Sequence, residues 1–136
     1  MRNIHFTNIV IKKLYASVWE WFSEPLNYSQ LYPNWVAKVV KIDTNKYEIT
    51  DKRNQKSLVV LETNKERGSI DLKIGDEISR TRLFVLNGHT VVIHIGTRWK
   101  QMKNPLFWFL YKKTVDKDFK NAKVVIEGRH QITSHN

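Results

Sequence analysis

The spacing of apolar positions changes three times along the 136 residues, and each change predicts an element. HFTNIVIKK (5–13) is β-branched and partly alternating, with Ile9 and Ile11 on one face and Val10 on the other, which predicts a first strand. SVWEWFSE (17–24) then sets Val18, Trp19, Trp21 and Phe22 on one broad stripe with Glu20 and Glu24 opposite, the pattern of a short amphipathic helix. Ser17 and Glu20 have capping-box spacing, but a start at Ser17 leaves the helix under two turns, so an earlier start stays open. Pro25 ends this helix or opens the next turn, and PLNYSQLY (25–32) predicts a second short helix that Pro33 stops.

From Trp35 to about Lys100 the period is two. WVAKVVKID, KYEITD, KSLVVLET, SIDLKIG, ISRTRLFVLN and HTVVIHIGTRWK read as six short strands, separated by the turn-like TN, KRNQ, NKERG, GDE and NGH. With the first strand they make a curved seven-stranded antiparallel sheet with one wet face. NPLFWFLYKKTVDKDFKNAKVVIEGRH (104–130) returns to helical spacing. Phe107, Leu110, Tyr111, Val115, Phe119, Ala122, Val125 and Ile126 recur at three- and four-residue steps, with Lys112, Lys113, Asp116, Lys120, Lys123 and Glu127 on the other side. Trp108 and Phe109 partly leave that stripe, and Gly128 stands near the helix end. The class is α+β in the order β-α-α-β6-α, with the long C-terminal helix covering the inner face of the sheet. The chain has the length of a single domain, 1–136, and carries no repeat or linker.

Composition narrows the possible chemistry. Zero cysteines exclude disulfides, thiolate catalysis and cysteine-ligated metals. No apolar run approaches the roughly 18–20 residues of a membrane helix. The N-terminal segment lacks the continuous apolar core of a signal peptide, so a cytoplasmic location is the default expectation. The net charge of +10 invites a polyanionic partner. Its 16 lysines and 7 arginines are spread along the chain without a run of four, which fits a solvated surface with weak, salt-sensitive polyanion attraction.

This order of elements resembles the START-like helix-grip superfamily, the polyketide cyclase/dehydrase and lipid-transport group to which the major plant pollen allergens belong. Val18-Trp19 stands where the family has Val-Trp at the start of its first helix. Tyr28 and Tyr32-Pro33-Asn34-Trp35 resemble its aromatic approach to the second strand, and a Pro105-led helix closes with Glu127. One departure is Lys13-Leu14-Tyr15-Ala16, where members commonly show a small residue and proline before the helix. The resemblance implies a helix-grip fold, the sheet wrapped around the long helix, with an elongated cavity between them that holds a lipid, polyketide or other apolar molecule.

Alternation selects the side chains expected to face that cavity. Val91, Ile93, Ile95, Thr97 and Trp99 share one face, taken as inward, with Val92, His94, Arg98 and Lys100 on the other. Thr81, Leu83 and Val85 face in, as do Ile70, Leu72 and Ile74, joined by Tyr47 and Ile49. Phe107, Tyr111, Val115 and Phe119 come from the long helix. Trp19, Trp21 and Phe22 read as core, whereas Tyr28, Tyr32 and Trp35 read equally as core or as a cavity mouth with polar handles.

Catalytic signatures are lacking: the sequence holds no Ser-His-Asp order, phosphate loop or His-x-x-x-His pair. His89 and His94 lie five apart on a strand, hence on opposite faces, and His130 and His135 lie in the tail. Asp118 is the one charged residue within the apolar arc of the long helix. Facing the cavity it would have a raised pKa and become a proton-transfer candidate; rotated slightly outward it would reach solvent or a lysine. No cofactor or metal is expected. Three functions stay open: a binder or carrier of a small apolar or amphipathic ligand, a cyclase-, dehydratase- or hydrolase-type enzyme using the same cavity, and a basic module that binds a polyanion or a protein.

Overall fold

The computed structural model describes residues 3–100 and 102–128, so His130, His135 and the last predicted residues of the long helix lie outside the described residues. Strand β1 (Ile4–Ile11) leads into helix α1 (Tyr15–Ser23), one 3₁₀ turn (Pro25–Asn27) and helix α2 (Tyr28–Leu31). Six strands follow, β2 (Val36–Asp43), β3 (Lys46–Asp51), β4 (Lys56–Asn64), β5 (Ser69–Ile74), β6 (Glu77–Leu86) and β7 (His89–Thr97), and α3 (Pro105–Glu127) comes last. The strands form one antiparallel sheet in the order β1-β7-β6-β5-β4-β3-β2. Sequence neighbours pair throughout β2 to β7, and β1 joins at the far edge beside β7.

Local chemistry explains the element ends. Helix α1 starts at Tyr15 instead of using the Ser17–Glu20 box; its N-cap is Leu14, which makes no side-chain cap bond. Tyr15 anchors that first turn, stacking on Trp19 at 6.1 Å and donating its hydroxyl to the Lys65 carbonyl at 2.6 Å. Beyond α1 the Glu24 carboxylate accepts the Leu26 N–H, and Pro25 takes the first position of the 3₁₀ turn. Asn104 caps α3 by accepting the Leu106 N–H at 2.8 Å, with Pro105 at the first helical position. Gly128 closes α3 in the left-handed conformation, φ 67°, its N–H donating to the Val124 and Val125 carbonyls.

Asn87 (φ 53°) and Gly88 (φ 79°) form the two-residue β6–β7 turn. Positive φ at both positions is the type I′ requirement, and it brings Leu86 opposite His89. Everything further along this hairpin is then determined by counting. Val85 meets Thr90, Leu83 meets Val92 and Thr81 meets His94, and β1 continues that last row with Thr7 opposite His94.

That register corrects the expected faces of β7. Thr90, Val92 and His94 are buried and point toward the helices, while Ile93, Ile95 and Thr97 are only partly buried on the outer face. Val85 has the inward parity but lies beyond the cover of the helices and is 60% exposed. The α3 stripe holds from Tyr111 onward and departs from its expected position only in the first two turns. Trp108, Asp118, Phe119, Ala122 and Ile126 are buried, whereas Phe107 is 50% exposed and Leu110 also faces out. The first two turns of α3 are apolar on every side, so spacing alone could not choose their buried face.

The core lies between the inner face of the sheet and the helices. Val18, Trp19 and Phe22 of α1 and Leu31 of α2 pack with Val36, Ile49, Val59, Leu61, Ile70, Leu72, Leu83 and Val92 of the sheet and Phe119, Ala122 and Ile126 of α3. Each Val, Leu, Ile or Phe among them contributes roughly 1.5–3 kcal/mol on burial. Among the described residues no helix is long and apolar enough to cross a membrane.

Candidate functional site

Two zones of different chemistry meet where α3 crosses the sheet. The first is aromatic. Phe119 lies within 6.0 Å of Phe22, nearly parallel to it, and within 5.3 Å of Tyr32. Tyr32 in turn meets Tyr28 at 5.0 Å and Trp35 at 6.1 Å. Tyr28 donates its hydroxyl to the Phe22 carbonyl at 2.8 Å, in full burial. Burial raises the pKa of both Tyr28 and Tyr32, so neither ionises in the ordinary range. Tyr28 and Tyr32, read as core or cavity mouth, are thus packed inside the core, and Trp35 is partly buried against it.

Asp118 has a structural partner. Its Oδ1 accepts both the Asn34 backbone N–H and the Asn34 side-chain N–H, each at 2.9 Å, and the residue is only 3% exposed. It is shielded from solvent and ties the Tyr32–Trp35 bend to α3, with the Lys117 and Lys52 charges acting on it. Burial raises its pKa, and the two Asn34 bonds hold it down in part. Asp118→Asn, which keeps an acceptor oxygen, is therefore expected to melt close to the parent at pH 7. Asp118→Leu strands a buried N–H and is expected to lose about 2 kcal/mol in urea unfolding. Equal losses for the two substitutions would contradict this role.

The second zone is polar and lies on the inner face of β1, β7 and β6. His94, 5% exposed, sits 5.1 Å from the Phe119 ring, and its Nε2 is 2.9 Å from Ser79 Oγ. Its Nδ1 is buried without a partner, the one such side-chain atom among the described residues. Burial lowers the His94 pKa to about 4, helped by the nearby His5 and opposed by Asp116, so the ring is neutral at pH 7. Tyr111 approaches from α3. A Cβ built on Gly96 would stand 3.0 Å from the Tyr111 hydroxyl and 3.2 Å from His94 Cε1, so glycine leaves both rings room to converge. Burial pushes the Tyr111 hydroxyl up to about 12, and it takes no hydrogen-bond partner among the described residues.

Beside this pair, Asp116 Oδ1 lies 2.9 Å from His5 Nε2 and accepts the Thr7 hydroxyl at 2.6 Å. Burial acts to raise the Asp116 pKa, but the Thr7 and His5 bonds and the His5 and Lys120 charges outweigh it and hold it low. Ser79 and His94 resemble a nucleophile and its base, yet no carboxylate orients Nδ1, because Asp116 is engaged by His5 and Thr7. Among the described residues no group of three His, Cys, Asp or Glu is placed to hold a metal.

Of the other side chains expected around a cavity, Tyr47, Ile70, Leu72, Thr81 and Leu83 are buried on the inner face, and Val115 is partly buried between the two zones. Ile93 and Ile95 lie on the outer face, and Val85 and Phe107 are exposed. Trp99, partly buried, meets Tyr111 at 6.4 Å with the two rings tilted by 45°. Sequence reading places His94 on the outer face and Asp116 on the polar side of the long helix, and does not single out Ser79, His5 or Thr7. Two hollows among the described residues open to solvent. One, of about 350 Å³, is lined by Lys12, Lys13, Lys123 and Glu127. The other, of about 570 Å³, is lined by Asn3, Arg98, Trp99, Lys100, Met102 and Lys103.

No protein-family model and no curated protein sequence matches the chain. Solved structures do. XoxI from Bacillus cereus superposes with a TM-score of 0.75 at 12% identity, over 93% of this chain and 96% of its own. The Zhui aromatase/cyclase from Streptomyces sp. R1128 superposes with a TM-score of 0.72 at 13% identity, over 93% and 94%. A START superfamily protein from Mycobacterium smegmatis superposes with 0.63 at 11% identity, over 96% and 99%. Seven antiparallel strands curved against one long C-terminal helix, with two short helices after the first strand, place the chain in the START-like helix-grip fold.

Proposed function

We propose that this protein binds a small, uncharged amphipathic molecule between the sheet and α3, with its polar group at His94 and Tyr111. One observation carries the reading: His94 Nδ1 is buried without a partner, and the His94 ring converges over Gly96 with the hydroxyl of the partly buried Tyr111, next to apolar Val115 and Phe119. A buried polar atom without a hydrogen bond is costly, and a ligand hydroxyl or carbonyl would satisfy it. Both groups are neutral at pH 7, which favours such a group over a carboxylate or an amine. Similarity to an aromatase/cyclase and to a START superfamily protein supports an apolar ligand of this kind.

Native mass spectrometry of the purified protein should reveal a bound small molecule. Naphthol and a long-chain alcohol should raise the melting temperature. Tyr111→Phe keeps the ring packing and removes the hydroxyl, and should weaken naphthol binding about tenfold. Neither an adduct nor a thermal shift, or an unchanged affinity in Tyr111→Phe, would sink the proposal.

The convergence of Ser79, His94 and Tyr111 also favours a second reading, an enzyme of cyclase or dehydratase type acting on the same ligand. That reading requires turnover of an aromatic polyketone that disappears in His94→Gln while binding persists.

A further inference from the structure

The β7–α3 corner carries a surface that ligand binding does not explain. Leu106, Phe107, Phe109 and Leu110 occupy the first two turns of α3 and are each about half exposed, 48–56%. Trp108 and Tyr111 take the inward positions of the same turns, so these four have no partner side left in the fold. Exposed apolar side chains scattered singly are ordinary, whereas four on one helix end form a contiguous patch.

The sequence around the patch is rich in cations, with Asp76 4.0 Å from Lys100 and Glu77 acting on Tyr111 as the acidic neighbours. No Asp or Glu occurs between Glu77 and Asp116, while Arg80, Arg82, Arg98, Lys100, Lys103, Lys112 and Lys113 all fall in that interval. Lys113 Nζ lies 5.2 Å over the Phe109 ring and Lys112 Nζ 5.4 Å over the Trp108 ring, so both ammonium groups border the patch. Lys103, Lys112 and Lys113 form no ion pair among the described residues. Next to them is the open hollow lined by Arg98, Trp99, Lys100, Met102 and Lys103, with no carboxylate in its wall. Arg98 braces this connection, donating to the Met102 and Lys103 carbonyls at 2.7 Å.

We infer that the first two turns of α3 and the preceding connection dock on an anionic lipid bilayer. Phe107, Phe109, Leu106 and Leu110 insert at the headgroup boundary, and Lys103, Lys112 and Lys113 meet lipid phosphates. An apolar helix face flanked by cations is the arrangement that partitions into an anionic interface, where long lysine stems let the ammonium groups rest at headgroup level. A polyanion such as RNA would use the lysines and gain nothing from Leu106 and Leu110. The docking does not depend on what occupies the interior.

The test is co-sedimentation of the full chain with phosphatidylcholine/phosphatidylglycerol vesicles and with phosphatidylcholine vesicles alone. Wild type is expected on the mixed vesicles only, with binding that weakens as salt rises. The exposed double substitution Phe107→Ser with Phe109→Ser should keep the wild-type melting temperature and lose about tenfold or more in partitioning. Lys103→Gln with Lys113→Gln should also lose binding, whereas Lys38→Gln with Lys41→Gln, on the opposite edge strand β2, should not. Equal vesicle binding by wild type and the phenylalanine variant overturns the inference. Equal loss in the two lysine variants overturns it as well, leaving diffuse charge as the cause. Binding to homopolymer RNA as tight as to vesicles, with both insensitive to the phenylalanine substitutions, would assign the surface to a polyanion.

Discussion

Phe119→Ala is expected to destabilise the protein by about 4 kcal/mol, measured by urea unfolding at pH 7, a large part of the 5–15 kcal/mol typical of a whole domain. Phe119 is the ring on which both zones of the interior rest. It lies flat beside Phe22, tilts against Tyr32 and covers His94, all within 5.1–6.0 Å. Removing it deletes the buried ring and leaves a hole that α1, α2 and the sheet cannot all move to fill. Phe119→Leu retains most of the volume and should lose roughly 1 kcal/mol. A small ring such as benzene should raise the melting temperature of Phe119→Ala and leave wild type unchanged, because a dry cavity of that shape binds it. A loss below about 1 kcal/mol for Phe119→Ala would show that this interior collapses freely and that Phe119 is not the hub.

The second large effect is acid destabilisation through His94. Its folded pKa of about 4 lies below the ordinary value of 6.5, because burial disfavours the charged ring. The unfolded chain therefore takes up the proton first. The stability held by neutral His94 is complete above pH 6.5 and is lost as pH falls from 6.5 to 4, by roughly 3 kcal/mol in all. Asp118 acts in the opposite sense: its raised pKa favours the fold at low pH and withdraws that support as pH rises above 3.8. Asp116, held low by Thr7 and His5, adds support that is lost only below its ordinary value of 3.8. His94→Gln can still bond Ser79 and has nothing to protonate. Its melting temperature should fall less than that of wild type between pH 7 and 4.5, by roughly 10 °C. Parallel curves for the two proteins would contradict a buried neutral imidazole.

The proposed ligand pole turns on the face of β7, and that face was legible in a way that alternation was not. Both faces of HTVVIHIGT carry apolar residues, so a period of two cannot distinguish them. The Asn87-Gly88 turn can. A two-residue type I′ loop pairs Leu86 with His89, and counting back from it puts His94 opposite Thr81, already expected inside. Ser79 then follows by strand parity with Thr81. Asp116 was not recoverable this way. It belongs to the polar side of the α3 pattern and becomes part of the site only because β1 lies beside it with His5 and Thr7 turned inward. The buried face of the first turns of α3 is similar: Ala122, Ile126 and the Asp118–Asn34 bonds seat the helix far down its length, and the apolar first turns accept whatever face results.

Sequence alone determined the elements and their order: the strand before two short helices, the six-strand meander, and the proline-led, glycine-ended long helix. Those features depend on local chemistry, namely the period of apolar positions, caps, and residues that accept positive φ. The tertiary structure decided which polar groups share the interior, which aromatic rings fill it, and which apolar turns remain uncovered. These depend on register between distant strands and on the rotation of one helix over the sheet. Each is set by the packing of the whole core, so no single stretch of the chain contains the information.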